Sequence, residues 1–267
     1  MAAPEILTVE ALWKQYDGTW AVQGLDLRVR AGEILGLIGP NGAGKTTTLK
    51  ALVGLLQPDA GRIAIDGRDL AVDPVRYKAA IGYMPETFSL PEYLSGREFL
   101  EYVGRLHDVP LPVLQGRIHS GAVRFDLDAR KDDLIVAYSK GMRQKLAFLA
   151  ATLHEPRLLL LDEPLIGIDP VGQVRLKEVV HALTARGSGV LVSTHMLDTA
   201  ERLCDRIAIV HRGRTVASGT LAELRSIAQT RVDSTLEEVF LQLTTEAQVP
   251  PSPEEPRRRG WLRWGRR

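Results

Sequence analysis

Residues 39–46 read Gly-Pro-Asn-Gly-Ala-Gly-Lys-Thr, and nothing else in the chain restricts its fold as strongly. The run satisfies the G-x-x-x-x-G-K-[ST] pattern. It follows an apolar segment, Glu33 to Ile38, that reads as a buried strand, and it opens a helix predicted from about Lys45 to Val53. That strand-loop-helix context is what separates a phosphate-binding loop from a chance glycine-rich turn. In such a loop Gly39, Asn41, Gly42, Ala43 and Gly44 turn backbone N–H groups toward phosphate oxygens, Pro40, which lacks an N–H, lines the same turn, and the helix start adds its positive dipole end. Lys45 reaches the terminal phosphates, Thr46 offers a hydroxyl to Mg²⁺, and Thr47, next in the first helical turn, is expected among the nucleotide-binding residues. A nucleoside triphosphate is the ligand this arrangement suits.

The pattern around the loop predicts an α/β protein with a mainly parallel sheet. From Ile6 to Arg30 the chain alternates, with Leu25, Leu27 and Val29 against Asp26, Arg28 and Arg30, as half-buried antiparallel strands do. Gly61 to Gly67 is a further short strand, and Ile81 to Met84 another. Between Thr87 and Ala137 the periodicity turns helical: Phe99, Tyr102, Val103 and Leu106 form one stripe, with Pro110 and Pro112 as breaks, which marks an inserted helical subdomain. Then come a helix from Met142 to Leu153, the strand Leu158–Leu161, a helix from Pro170 to Ala185 and the strand Gly189–Ser193. Strands separated by helices imply parallel pairing with both sheet faces covered.

Asp162 and Glu163 follow the apolar strand 158–161, at the carboxyl edge where open α/β sheets place ligands. Asp162 is expected to hold Mg²⁺ and Glu163 to polarise the water that attacks the γ-phosphate. Taken alone, a strand followed by Asp-Glu-Pro also suits a solvated turn; the phosphate loop on the same edge favours the site. His195 stands after the strand that ends at Ser193-Thr194, where an imidazole can reach the γ-phosphate and the attacking water.

With Tyr138-Ser139-Lys140-Gly141-Met142 placed before the acidic strand and opening a helix, the sequence from Ile6 to about Phe240 resembles the ATP-binding-cassette (ABC) ATPases. The resemblance implies a P-loop NTPase core with an antiparallel β subdomain and a helical subdomain at about 87–140, together spanning residues 1–244. It implies ATP and Mg²⁺ as ligands and a second ABC ATPase subunit, identical or different, paired head to tail. Ser139 and Gly141 would then face the nucleotide held by the other subunit, while Lys140 and Met142 depart from the family's usual Leu-Ser-Gly-Gly-Gln. Tyr16 looks like the aromatic that stacks on adenine, although a tyrosine among early strands is as often packing. Gly167-Ile168-Asp169 looks like the loop crossing the dimer interface. Glu86 replaces the glutamine commonly found at a Mg²⁺-sensing position; its carboxylate keeps oxygen ligands but loses the amide donor. Together with Thr235-Leu-Glu-Glu-Val-Phe240 these features resemble ATPase subunits of two-component exporters, whose integral membrane permease is a separate chain.

Composition sets the remaining expectations. Lys and Arg number 34 against 33 Asp and Glu, so no nucleic-acid footprint is expected. The apolar runs stop well short of the ~20 residues needed to cross a bilayer, and the N-terminus has no secretory pattern. One cysteine, Cys204, suits a reducing compartment. The expected location is cytoplasmic, on the inner face of the membrane through a permease. Residues 245–267 turn to Pro, Glu and Arg, with six arginines after Pro256 interleaved with Trp261 and Trp264, a composition for a disordered tail or for contact with an anionic membrane surface. A non-transport ABC ATPase acting on the ribosome or on DNA is the competing reading. A single cassette with a short, proline-containing insert suits it poorly.

Overall fold

The computed structural model describes residues 3–246; the arginine-rich segment lies outside the described residues. Two long strands, β1 (Glu5–Tyr16) and β2 (Thr19–Arg30), precede β3 (Ile34–Ile38), the phosphate loop and α1 (Lys45–Leu52). There follow β4 (Ala60–Ile65), β5 (Arg68–Asp69), α2 (Pro74–Ala79), β6 (Ile81–Met84), α3 (Gly96–Leu106), α4 (Leu111–Arg124) and α5 (Lys140–Thr152). The second half holds β7 (Leu158–Asp162), α6 (Pro170–Ala185), β8 (Gly189–Thr194), α7 (Leu197–Leu203), β9 (Arg206–His211), β10 (Arg214–Gly219), α8 (Leu221–Ile227) and α9 (Leu236–Glu246).

Two sheets result. One is antiparallel with order β2-β1-β4-β5, and the other has order β10-β9-β3-β8-β7-β6, parallel except for the β9–β10 hairpin. The pattern of each strand explains its place. In β2, Leu25, Leu27 and Val29 are buried while Asp26, Arg28 and Arg30 face solvent. In β3, β7 and β8 every residue is buried, because helices cover one face and the antiparallel sheet with α1 covers the other. Alternation distributes β7 between the two: Leu159 and Leu161 join the core under α3–α6, and Leu158 and Leu160 join the core shared with β1, β2 and α1.

The helical insert departs from the expected stripe. Leu100 is the buried anchor of α3, flanked by Gly96 and Gly104, while Phe99 and Val103 are partly buried and Tyr102 and Leu106 are exposed. The contact face of α3 is therefore centred on Leu100 with a glycine one turn to either side. A Cβ on Gly104 would stand 2.2 Å from Leu114 Cδ1 of α4, so the two helices approach through a glycine that a hydrophobic pattern does not register. Pro110 and Pro112 open α4 rather than only interrupting a helix, as proline in a first turn can. At the other end α9 continues through Glu246, so the boundary expected after Thr244 falls inside a helix. Among the described residues no helix is long and apolar enough to cross a membrane.

Gly104→Ala separates these effects. An unconstrained Gly→Ala change in a helix stabilises by up to ~1 kcal/mol, whereas forcing volume into a packed core costs about 1–3 kcal/mol. The expected outcome is a lower urea midpoint with unchanged m-value; a raised midpoint would show that α3 and α4 do not meet at Gly104.

Candidate functional site: a phosphate loop with an acidic strand end

Parallel register sets the site. Ile38 of β3 pairs with Thr194 of β8, and Asp162 of β7 pairs with Ser193 of the same strand, so the phosphate loop, Asp162-Glu163 and Thr194-His195 leave the sheet at one edge. In the loop, a Cβ on Gly39 would lie 2.2 Å from the Val210 carbonyl oxygen. Gly44, at φ +99°, would bring one to 2.4 Å from that of Ala21. Both are backbone contacts that cannot yield, and Gly44 also occupies left-handed space. Pro40, Asn41 and Gly42 form the exposed crest, with Ala43 buried beneath them and Thr47 half-buried in the first turn of α1.

The start of α1, like those of α4 and α7, is uncapped. Asp73, Ser95, Ser139, Asp169 and Thr220 cap α2, α3, α5, α6 and α8 with side-chain oxygens. Helix α1 has no side-chain cap and no acidic residue in its first turn, so its N–H groups and dipole are not already neutralised there. Lys45 is buried, and its Nζ donates to the carbonyl oxygens of Gly39 at 2.8 Å and Pro40 at 3.2 Å. Burial lowers its pKa, opposed by the charges of Glu163, Asp162 and Glu86.

Two carboxylates stand in different surroundings. Thr46 Oγ1 donates to Asp162 Oδ2 at 3.0 Å, joining the two proposed Mg²⁺ ligands across the strand-to-helix gap. Burial pushes the Asp162 pKa up, the hydroxyls of Ser193 and Thr46 oppose it, and the charges of Glu86 and Glu163 add to the rise. A hydroxyl and a buried carboxylate fit Mg²⁺, which takes one or two protein oxygens and completes its shell with water and phosphate. Glu163 is also buried, with φ +48°, a left-handed conformation that is costly for a residue with a side chain and characteristic of functional sites. Its Oε2 accepts from Thr194 Oγ1 at 2.9 Å, and its Oε1 accepts from the His195 backbone N–H at 2.9 Å and lies 2.6 Å from His195 Nδ1. His195 is half-exposed and Glu163 almost enclosed, so the imidazole forms the solvent-facing side of the pair. Thr194 has no place among the residues expected from sequence. Its position immediately before His195 is the only cue, and that cue does not reveal where the hydroxyl points.

The other expected residues are dispersed. Glu86 is exposed beyond β6 and contributes charge to Lys45 and Asp162 without a hydrogen bond to either. Among the described residues no cluster of three or more His, Cys, Asp or Glu forms a metal cage. Tyr16 ends β1 opposite Thr19, 46% exposed, with Lys14 Nζ 5.8 Å from its ring centroid. Ser139 caps α5 by accepting from the Met142 N–H, and Gly141 lies beside the Gly167 carbonyl. Among the described residues neither Ser139 nor Gly141 hydrogen-bonds the phosphate loop. Asp169 caps α6 and pairs with Lys145 at 2.5 Å, which holds its carboxyl down to about 2 with help from the Gly172 N–H.

A family model described as ABC transporter matches residues 22–166, more than half of the chain. The chain belongs to the ABC transporter family. Among ABC relatives, it is 40% identical over 237 residues to the daunorubicin resistance ATP-binding protein DrrA3 of Streptomyces coeruleorubidus, covering 88% of this chain and 75% of that one. It is 36% identical over 220 residues to the Nod factor export ATP-binding protein I of Ralstonia nicotianae, covering 82% of this chain and 68% of that one. A solved structure of the ATP binding subunit of an ABC transporter superposes with a TM-score of 0.86 at 37% identity, over 90% of this chain and 99% of the other. The resemblance to ABC ATP-binding subunits and the expected fold class both stand.

The raised Asp162 pKa has a consequence for stability. A carboxyl whose folded pKa is raised favours the folded state at low pH, and that contribution is lost as pH rises through the folded value. Asp162→Asn keeps an acceptor for Thr46 and removes the buried charge. It is expected to melt above the parent chain at neutral pH without nucleotide, the gap closing as pH falls through the carboxylate range. A variant that melts lower at neutral pH would contradict the electrostatic account.

Proposed function

We propose that this chain binds Mg²⁺·ATP and hydrolyses it as the energy-supplying subunit of an ABC transporter, working on a separate integral membrane permease at the inner face of the membrane. The observation that carries the reading is the convergence of Lys45, the Thr46–Asp162 pair and the enclosed Glu163–His195 pair on one sheet edge. Lys45 exchanges its loop carbonyls for phosphate oxygens, and the uncapped α1 start adds N–H donors. Mg²⁺, held by Thr46 and Asp162 with Glu86 nearby, would offset charge on the transferring phosphoryl group. Glu163 takes the proton of the attacking water, and His195 and Thr194 fix its carboxylate for that task.

Ser139 and Gly141 have no role toward the loop of their own chain, which supports their use toward ATP held by a second cassette, the same protein or a different one. Tyr16 supplies an exposed ring for adenine. The Nod factor export relative supports export as the direction, with the transported molecule selected by the permease.

Glu163→Gln is expected to lower ATP turnover by ~10²–10⁴-fold, the usual worth of a general base, while ATP affinity changes by no more than about twofold. Hydrolysis at the parental rate would remove Glu163 from the mechanism. The same variant, tagged and captured from native membranes with ATP, is expected to bring down a protein with several membrane spans. Ribosomal or chromosomal partners without one would favour the non-transport reading.

A further inference from the structure

The phosphate loop is held from outside by a second structure that the catalytic groups do not include. The Gly213 N–H, in the turn between β9 and β10, donates to the Ala43 carbonyl oxygen at 3.0 Å. The carbonyl oxygen of Ala21, on β2, is wedged between Gly44 and Gly213, where a Cβ on either glycine would come within 2.4 Å or 2.7 Å of it. Three segments remote in sequence therefore meet backbone to backbone behind the loop.

Gln23 closes this junction. Its backbone N–H donates to the Gly213 carbonyl oxygen at 2.7 Å, its Nε2 donates to the Arg212 carbonyl oxygen at 2.9 Å, and its Oε1 accepts from Arg214 Nη2 at 3.2 Å. A carboxamide presents a donor and an acceptor side by side on one carbon, which suits a carbonyl and a guanidinium as neighbouring partners. Arg212 has φ +49°, a conformation that costs a non-glycine residue on the order of 1–2 kcal/mol, and the hydrogen bond from Gln23 falls on its carbonyl. The same strand that carries Gln23 begins at Thr19, opposite Tyr16, four residues or roughly 13 Å away along β2. The loop that takes phosphate and the hairpin that presents Tyr16 thus meet at one junction, where the Gln23 side chain adds two bonds to the Arg212–Arg214 turn beside the backbone contacts.

We propose that Gln23 is a positioning residue that fixes the distance between the adenine-stacking ring and the phosphate loop, so that base and phosphates are bound in a single register. The inference rests on the reading of Tyr16 as the base platform and of residues 39–46 as the phosphate site. Cutting the two side-chain bonds leaves the Gln23–Gly213 and Gly213–Ala43 backbone bonds in place, so the loop keeps its shape while the seating of β2 on the Arg212–Arg214 turn loosens.

The test is calorimetric titration with ADP and with pyrophosphate, two ligands that need no turnover, on the parent chain, Gln23→Ala, Tyr16→Ala and the double variant. The result expected is a five- to tenfold loss of ADP affinity in Gln23→Ala, about the worth of one net hydrogen bond, with pyrophosphate affinity unchanged. In the Tyr16→Ala background, Gln23→Ala is expected to have no further effect, the coupling of two residues that act as one unit. Gln23→Glu, which keeps the partner of Arg214 and loses the donor to Arg212, is expected to fall in between. Equal losses for ADP and pyrophosphate, or no loss in either, would overturn the role of Gln23. If Tyr16→Ala alone leaves the ADP-to-pyrophosphate ratio unchanged, the base-platform reading fails instead, a result read from a different variant. A thermal melt of each variant confirms that the compared proteins are folded.

Discussion

The parallel hydrogen-bond ladder joining β3, β8 and β7 is the constraint on which the rest depends. It sets Ile38 beside Thr194 and Ser193 beside Asp162, and so brings a loop near residue 40, carboxylates near 162 and an imidazole at 195 to one edge. Slipping any of these strands by one residue would turn its side chains to the opposite face and carry the residues at this edge with them. The register is protected because all residues of the three strands are buried, with each face claimed by a separate apolar core.

That rigid frame supports local arrangements that would be unfavourable alone. Asp162 and Glu163 are buried carboxylates, Lys45 is a buried ammonium, and Glu163 has a left-handed backbone. None of the three charges is without a hydrogen bond: Lys45 donates to loop carbonyls, Asp162 accepts from Thr46, and Glu163 accepts from Thr194 and His195. Pairing of this kind is what makes buried charge tolerable in a low-dielectric interior. In the proposed function the same groups exchange these protein partners for phosphate, water or a cation, which connects the energetics of the site to its chemistry.

Stability and function diverge most clearly at the edges of the frame. Helix α1 does without the side-chain cap that six other helices possess, and the loop before it depends on contacts supplied by β2 and the β9–β10 turn. The phosphate loop is consequently as much a product of Ala21, Gln23 and Gly213 as of its own glycines. A chain with the same residues 39–46 but a different β2 would present the pattern without this support.

What the sequence determined by itself is local and periodic. The loop residues, the buried runs of β3, β7 and β8, the alternation in β2 and the position of Asp162, Glu163 and His195 at strand ends were legible because each follows from spacing along one segment. Tertiary structure decided what depends on two segments at once. The contact face of α3 is centred on Leu100 and its flanking glycines rather than on Tyr102 and Leu106, since close helix approach selects for missing side chains that hydrophobic patterning cannot count. Thr194 reaches Glu163, and Gln23 reaches the turn at Arg212, only because strands far apart in sequence lie side by side; hydrogen-bond direction is a property of that juxtaposition and has no signature in either segment alone.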